Sequence, residues 1–135
     1  MIKILGVDPG GHTGLALFTG ATFTEGTECQ SIYQLQTHLD LWRPDQIVME
    51  DFQGGYGHTN QRDPLWVLGA VDMWALQHAV PLTLQNPSIL RVYLARVGHP
   101  HPSRHVRCAA AHVRYYLDRR SAELTSAGNV SPLHQ

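Results

Sequence analysis

The chain has 135 residues, 43% of them hydrophobic, with nine histidines and a formal net charge of -1. This length suits one domain with its own core, and the composition excludes wholesale disorder. The near-neutral charge excludes attachment to nucleic acid by bulk attraction, so any such binding needs a local patch.

The start, Met1 to Gly6, runs straight into strand-like sequence without the long apolar segment of a signal peptide. No apolar run approaches the roughly 20 residues that span a bilayer. The expectation is a cytoplasmic protein. Ile2 to Asp8 is β-rich and apolar and predicts a buried strand ending on Asp8. Pro9-Gly10-Gly11 makes a tight turn. Thr13 to Phe18 and Ala21 to Thr27 predict two more strands, giving an antiparallel meander. Ile32, Leu35, Leu39 and Trp42 repeat at helical spacing, so Ser31 to Trp42 reads as a helix stopped by Pro44. Asp45 to Glu50 is a short buried strand ending on Glu50. The Gly-rich stretch Gln53 to Arg62 is a loop.

A long helix follows over Pro64 to Ala79, then a strand at Pro81 to Gln85 and a helix from Pro87 to Val97 with proline in its first turn. Ser103 caps a last helix running to about Arg119. The expected domain is 1–120, with 121–135 as a flexible tail. The two cysteines, Cys29 and Cys108, form no C-x-x-C pair, which gives no sign of a zinc ribbon or redox motif. Three antiparallel strands, then helix, strand, helix, strand, helix, is an α/β order. It resembles the ribonuclease H-like fold, a five-stranded mixed sheet of three antiparallel then two parallel strands flanked by helices.

Asp8 and Glu50 both end buried strands, and sites in open α/β sheets form at the carboxyl ends of strands. If the strands are neighbours the two carboxylates converge, as a metal-dependent nuclease requires. The alternative is that each acid only marks where a strand meets water. The phrase Ile4-Leu5-Gly6-Val7-Asp8-Pro9-Gly10-Gly11-His12-Thr13-Gly14-Leu15-Ala16 resembles the first motif of RuvC-type Holliday junction resolvases. Ile47-Val48-Met49-Glu50-Asp51-Phe52 resembles the second. The likeness continues through Pro64 to Ala79, Gln85-Asn86-Pro87-Ser88 and Ser103 to Ala110. The short connection from Gly98 to Ser103 is more like that of phage-encoded members. The resemblance implies a homodimeric endodeoxyribonuclease that cuts four-way and branched DNA, with water attacking the phosphate in line. It implies two divalent cations, Mg²⁺ or Mn²⁺, with Asp8 bridging them, Glu50 binding one and His105 as a further ligand. The dimer would use the apolar helix Pro64 to Ala79, through Trp66, Leu68, Val71 and Trp74.

The family commonly places an aspartate three residues after the position of His105, and here Cys108 stands there. A thiol does not suit Mg²⁺, and imidazole favours Mn²⁺. His105, Cys108 and His112 share a helix face. They read either as a mixed nitrogen and sulfur metal site or as a boundary cysteine flanked by two surface histidines. From Arg91 onward the only acids are Asp118 and Glu123, so the C-terminal third is basic. Arg91, Arg96, Arg104, Arg107 and Arg114 are candidates for phosphate contacts. Arg62 is a further candidate for DNA contact, and Phe52 or Tyr56 for stacking at a branch point. Two other readings stay open. One is a branched-DNA-binding protein on the same fold, disabled for cleavage by Cys108. The other is an actin-like nucleotide-binding domain, whose phosphate hairpin Asp8 to Gly14 also resembles.

Overall fold

The computed structural model describes residues 1–51, 62–97 and 101–128. Strands β1 (Lys3–Asp8), β2 (Thr13–Thr19) and β3 (Thr22–Cys29) form the antiparallel meander. β4 (Gln46–Glu50) and β5 (Leu82–Gln85) extend it in parallel. The order across the five-stranded sheet is β3-β2-β1-β4-β5, which fits the expected mixed sheet of three antiparallel then two parallel strands.

Between the strands lie α1 (Ile32–Trp42) and α2 (Arg62–Gln77). Ser31 caps α1, its hydroxyl accepting from the Gln34 amide at 3.2 Å. Arg43, at φ 45, ends α1 in the left-handed region, so the stop falls one residue before Pro44. After β5, Pro87–Ile89 is a tight 3₁₀ turn capped by Asn86, and only then does α3 (Leu90–Val97) begin. The last helix, α4 (Arg104–Gly128), starts under the Ser103 cap, whose hydroxyl accepts from the Val106 amide at 3.2 Å. It extends past Arg119, where the sequence reading ended it. Its outer turns have exposed side chains and so no apolar stripe to betray them, but Arg119 and Glu123 pair one turn apart at 3.7 Å. Among the described residues no helix is long and apolar enough to cross a membrane.

Two cores flank the sheet. On one face Leu5, Val7, Leu15, Leu17, Ile47 and Met49 meet Leu35 and Leu39 of α1 and Val67, Val71 and Trp74 of α2. The Trp74 indole N–H donates to Asp40 at 2.9 Å, satisfying the one polar atom of this buried ring. On the other face Ile4, Ala16, Phe18 and Val48 meet Val106, Ala109, Ala110 and Val113 of α4. Side chains alternate faces along a strand, so Asp8 and Glu50 fall on the α4 side with Ile4 and Val48.

Glycines bring α4 close to this face. A methyl at Gly6 would strike the Ala109 carbonyl and lie 2.7 Å from a Val113 methyl. One at Gly14 would strike the His105 carbonyl and lie 2.7 Å from the Val106 amide nitrogen. Helix backbone therefore rests on strand backbone, a spacing that only glycine permits.

Candidate active site

One row of residues crosses the sheet beneath the first half of α4. Glu50 pairs with Gln85 across β4 and β5. Asp8 pairs with Gly14 across β1 and β2, and Gly14 with Glu28 across β2 and β3. Val7 pairs with Met49, so Asp8 and Glu50 are the next step along two adjacent strands. Facing residues of a sheet share a side, so Gln85, Glu50, Asp8, the gap left by Gly14, and Glu28 form a line under the helix.

His105 sits over that gap. Its Nδ1 is 3.2 Å from Asp8 Oδ2, and its Nε2 is 4.0 Å from Glu28 Oε1. The His105 side chain is 45% exposed, whereas that of Asp8 is 12% exposed. Asp8 is pushed up from 3.8 to about 6. Burial is the larger cause and the Glu50 charge the next, outweighing the hydrogen bond and charge of His105. By strand register Asp8 and Glu50 leave adjacent strand ends on the same face of the sheet.

Further along α4, His112 is wholly buried. Its Nε2 is 3.4 Å from Glu50 Oε1, and its Nδ1 is 3.1 Å from the side-chain nitrogen of Gln85. The same Gln85 nitrogen donates to the His112 carbonyl at 2.9 Å. Between these histidines Cys108 is buried, its thiol pushed up to about 11 by burial and then by the Asp8 charge, with Glu50 adding to it. That thiol stays protonated at neutral pH.

No known sequence family and no curated protein matches the chain. Solved structures do. Thermus thermophilus RuvC in complex with a Holliday junction substrate superposes with a TM-score of 0.72 at 18% identity, covering 90% of this chain and 96% of that one. A second Thermus thermophilus RuvC structure gives 0.64 at 21% identity, covering 90% and 97%. The chain has the fold of RuvC. Fowlpox virus resolvase, in complex with Holliday junction DNA, superposes at 0.58 with 12% identity, covering 87% and 98%. RuvC and the poxvirus resolvase both have the ribonuclease H-like architecture expected from the sequence.

On this RuvC fold Asp8 and Glu50 stand on adjacent strand ends, His105 lies 3.2 Å from Asp8, and Cys108 is buried on α4 between the two histidines. The structure differs from the sequence reading over the second histidine: His112 is buried against Glu50, not at the surface, because the helix face it shares with Cys108 turns toward the sheet. Glu28 and Gln85 escaped the sequence reading. Their only sequence signal was strand register, and that becomes visible only once the strands are paired.

The basic candidates separate. Arg91 and Arg104 are exposed. Arg107 is turned inward, its Nη1 donating to the carbonyls of His101 at 2.9 Å and Pro102 at 3.1 Å, so it ties down the start of α4. Arg114 lies over the Phe18 ring at 5.2 Å. Phe52, Tyr56 and the side chains of Arg62 and Arg96 lie outside the described residues.

For a metal ion, the donors fit one cation better than two. Asp8 and Glu50 offer hard oxygens on adjacent strand ends, which suits Mg²⁺ or Mn²⁺ held by one or two carboxylates plus substrate phosphates. Among the described residues no three of His, Cys, Asp and Glu gather as a metal-holding group. His105 turns its Nδ1 to Asp8, where it is a hydrogen-bond partner, and Cys108 is a protonated thiol. Neither completes the second cation position that the family resemblance implies.

Proposed function

We propose that this chain is a Holliday junction resolvase, a divalent-metal-dependent endodeoxyribonuclease that cuts four-way and branched DNA. The observation that carries the reading is the placement of Asp8 and Glu50 on adjacent strand ends beneath α4, in a fold shared with two resolvases whose structures contain Holliday junctions. Asp8 and Glu50 would hold the cation. When bound, it supplies charge stabilisation at the phosphoryl oxygens. His105 steadies Asp8 from the open side, and Arg91 and Arg104 present their guanidinium groups to the DNA backbone.

The partner chain is a second copy. Val71 and Trp74 are consumed by the core, so they cannot serve the interface expected of them from sequence. The exposed apolar residues of α2 are Leu65, Trp66, Met73 and Leu76, flanking Gly69, around whose Cα there is open space. A two-fold dimer through this face suits a four-way junction with two symmetric strands to cut. Light scattering at micromolar concentration is expected to give a dimer mass, and a monomer would remove this part of the proposal.

The decisive experiment incubates the protein with a synthetic four-way junction and a linear duplex of the same sequence, with Mg²⁺ and then Mn²⁺. Paired nicks in the junction and an intact duplex are expected. Binding without nicking under either metal favours a second reading, a branched-DNA-binding protein that does not cut. That reading draws on Cys108, a buried neutral thiol where the family commonly has a carboxylate.

A further inference from the structure

The proposed mechanism leaves one buried polar cluster unused: His112, fully enclosed, and Gln85, nearly so. Their geometry fixes a protonation pattern. A backbone carbonyl can only accept, so the Gln85 atom 2.9 Å from the His112 oxygen must be the amide nitrogen. That same nitrogen lies 3.1 Å from His112 Nδ1 and has a second hydrogen to give. Nδ1 therefore accepts and carries no proton. The ring is held as the neutral tautomer with its proton on Nε2, the atom facing Glu50 Oε1 at 3.4 Å.

We propose that His112 is a positioning residue for Glu50, set in the required tautomer by Gln85. This rests on reading Asp8 and Glu50 as a cation site. A carboxylate that is to hold a cation needs a fixed direction and its full charge. A lysine or arginine partner would give direction but compete with the cation for the charge. A neutral N–H donor gives direction alone, occupying one carboxylate oxygen and leaving the other free. The strand register serves the same end: Gln85 stands directly beside Glu50, so one helix side chain reaches both. Such outer-layer partners of metal-binding groups commonly change affinity by about 10- to 100-fold when removed.

The test uses the full metal-free chain and MnCl₂ alone, with binding measured by the electron paramagnetic resonance of free Mn²⁺. His112→Met removes the donor at similar volume. His112→Gln puts an amide N–H near the position of Nε2. Long-range ¹H–¹⁵N spectra of the histidine rings read the tautomer directly, in wild type and in Gln85→Met.

His112→Met is expected to weaken Mn²⁺ binding about tenfold or more, and His112→Gln to recover it to within about threefold. Wild type should show His112 protonated on Nε2, and Gln85→Met should lose that single tautomer. Equal Mn²⁺ affinity in wild type and His112→Met overturns the positioning role. So does a His112→Gln variant that binds as poorly as His112→Met, because the ring would then matter only as filling. A wild-type protein that binds no Mn²⁺ at millimolar concentration overturns the cation-site reading, and this proposal with it.

Discussion

Two carboxylates stand one strand apart in this sheet, each with a histidine from the same helix, yet their surroundings are opposite. Asp8 is matched with His105, a half-exposed ring whose other nitrogen faces a second carboxylate, Glu28. Glu50 is matched with His112, an enclosed ring whose other nitrogen is occupied by an amide donor. The first ring keeps one side open to water. The second is enclosed, with both ring nitrogens within reach of a partner. A histidine beside an acid thus has no fixed meaning: what its far nitrogen faces decides whether it is adjustable or locked.

Replacing the acid of the adjustable pair should give the largest effect. Asp8→Asn is expected to lower junction cleavage by at least about a hundredfold, since the cation it would hold contributes several kcal/mol at the transition state. Cleavage within a few-fold of wild type would remove Asp8 from the chemistry.

Gly14→Ala should break the same pair from beneath while sparing the other. The added methyl meets the His105 carbonyl, so the first turn of α4 must lift. A loss of about 3 kcal/mol is expected, at the upper end of overpacking costs. The ring signals of His105 should move and those of His112 stay. Calorimetry with ring spectra checks this, and equal movement at both histidines would show that the two pairs are not independent.

The buried charge of Asp8 gives a pH signature of its own. Its folded value, about 6, lies above the ordinary 3.8. Folding therefore takes up a proton between about pH 4 and pH 6, and stability falls as pH rises through that window. Asp8→Asn should then gain up to about 3 kcal/mol over wild type at pH 7 to 8, and nothing below about pH 4. Thermal unfolding at both pH values checks this. A gain that is equal at the two ends would remove the buried charge as its cause.

The smallest expected effect lies between the pairs. Cys108→Asp places a third carboxylate near Asp8 and Glu50, whose charges already act on Cys108. Without metal the variant should be less stable than wild type. With millimolar Mg²⁺ it should recover by about 1 to 2 kcal/mol more than wild type does, by binding linkage. Mg²⁺-dependent cleavage should rise further than Mn²⁺-dependent cleavage. If Mg²⁺ stabilises both proteins alike, Cys108 does not face the cation.

The five strands and the two acids that end them were legible in the sequence because each depends on local pattern, whereas the pairing of β1 with β4 is long-range. Asp8 and Glu50 close apolar runs, and an apolar run bounded by turns is a strand whatever surrounds it. Gln85 and His112 were not legible as a pair, being 27 residues apart in sequence and on different elements. Nothing in Gln85-Asn86-Pro87-Ser88 distinguishes a buried glutamine from the first polar residue of a turn. The position of Arg107 was hidden for a related reason: it lies in a basic stretch, but the carbonyls its Nη1 meets belong to the preceding loop. Charge pattern shows where cations are, and only the tertiary structure shows which are already engaged.

The contact of α4 with Gly6 and Gly14 also bears on how the molecule answers hydrostatic pressure. Elsewhere in an interior, side chains leave small voids between them, and unfolding under pressure proceeds by eliminating such volume. Where main chain rests on main chain there is little void to eliminate. The compressible part of this protein should therefore be the opposite core, where Trp74, Met49 and Leu39 meet through large side chains. Under pressure α1 and α2 should loosen from the sheet while α4 still holds His105 and His112 over their carboxylates.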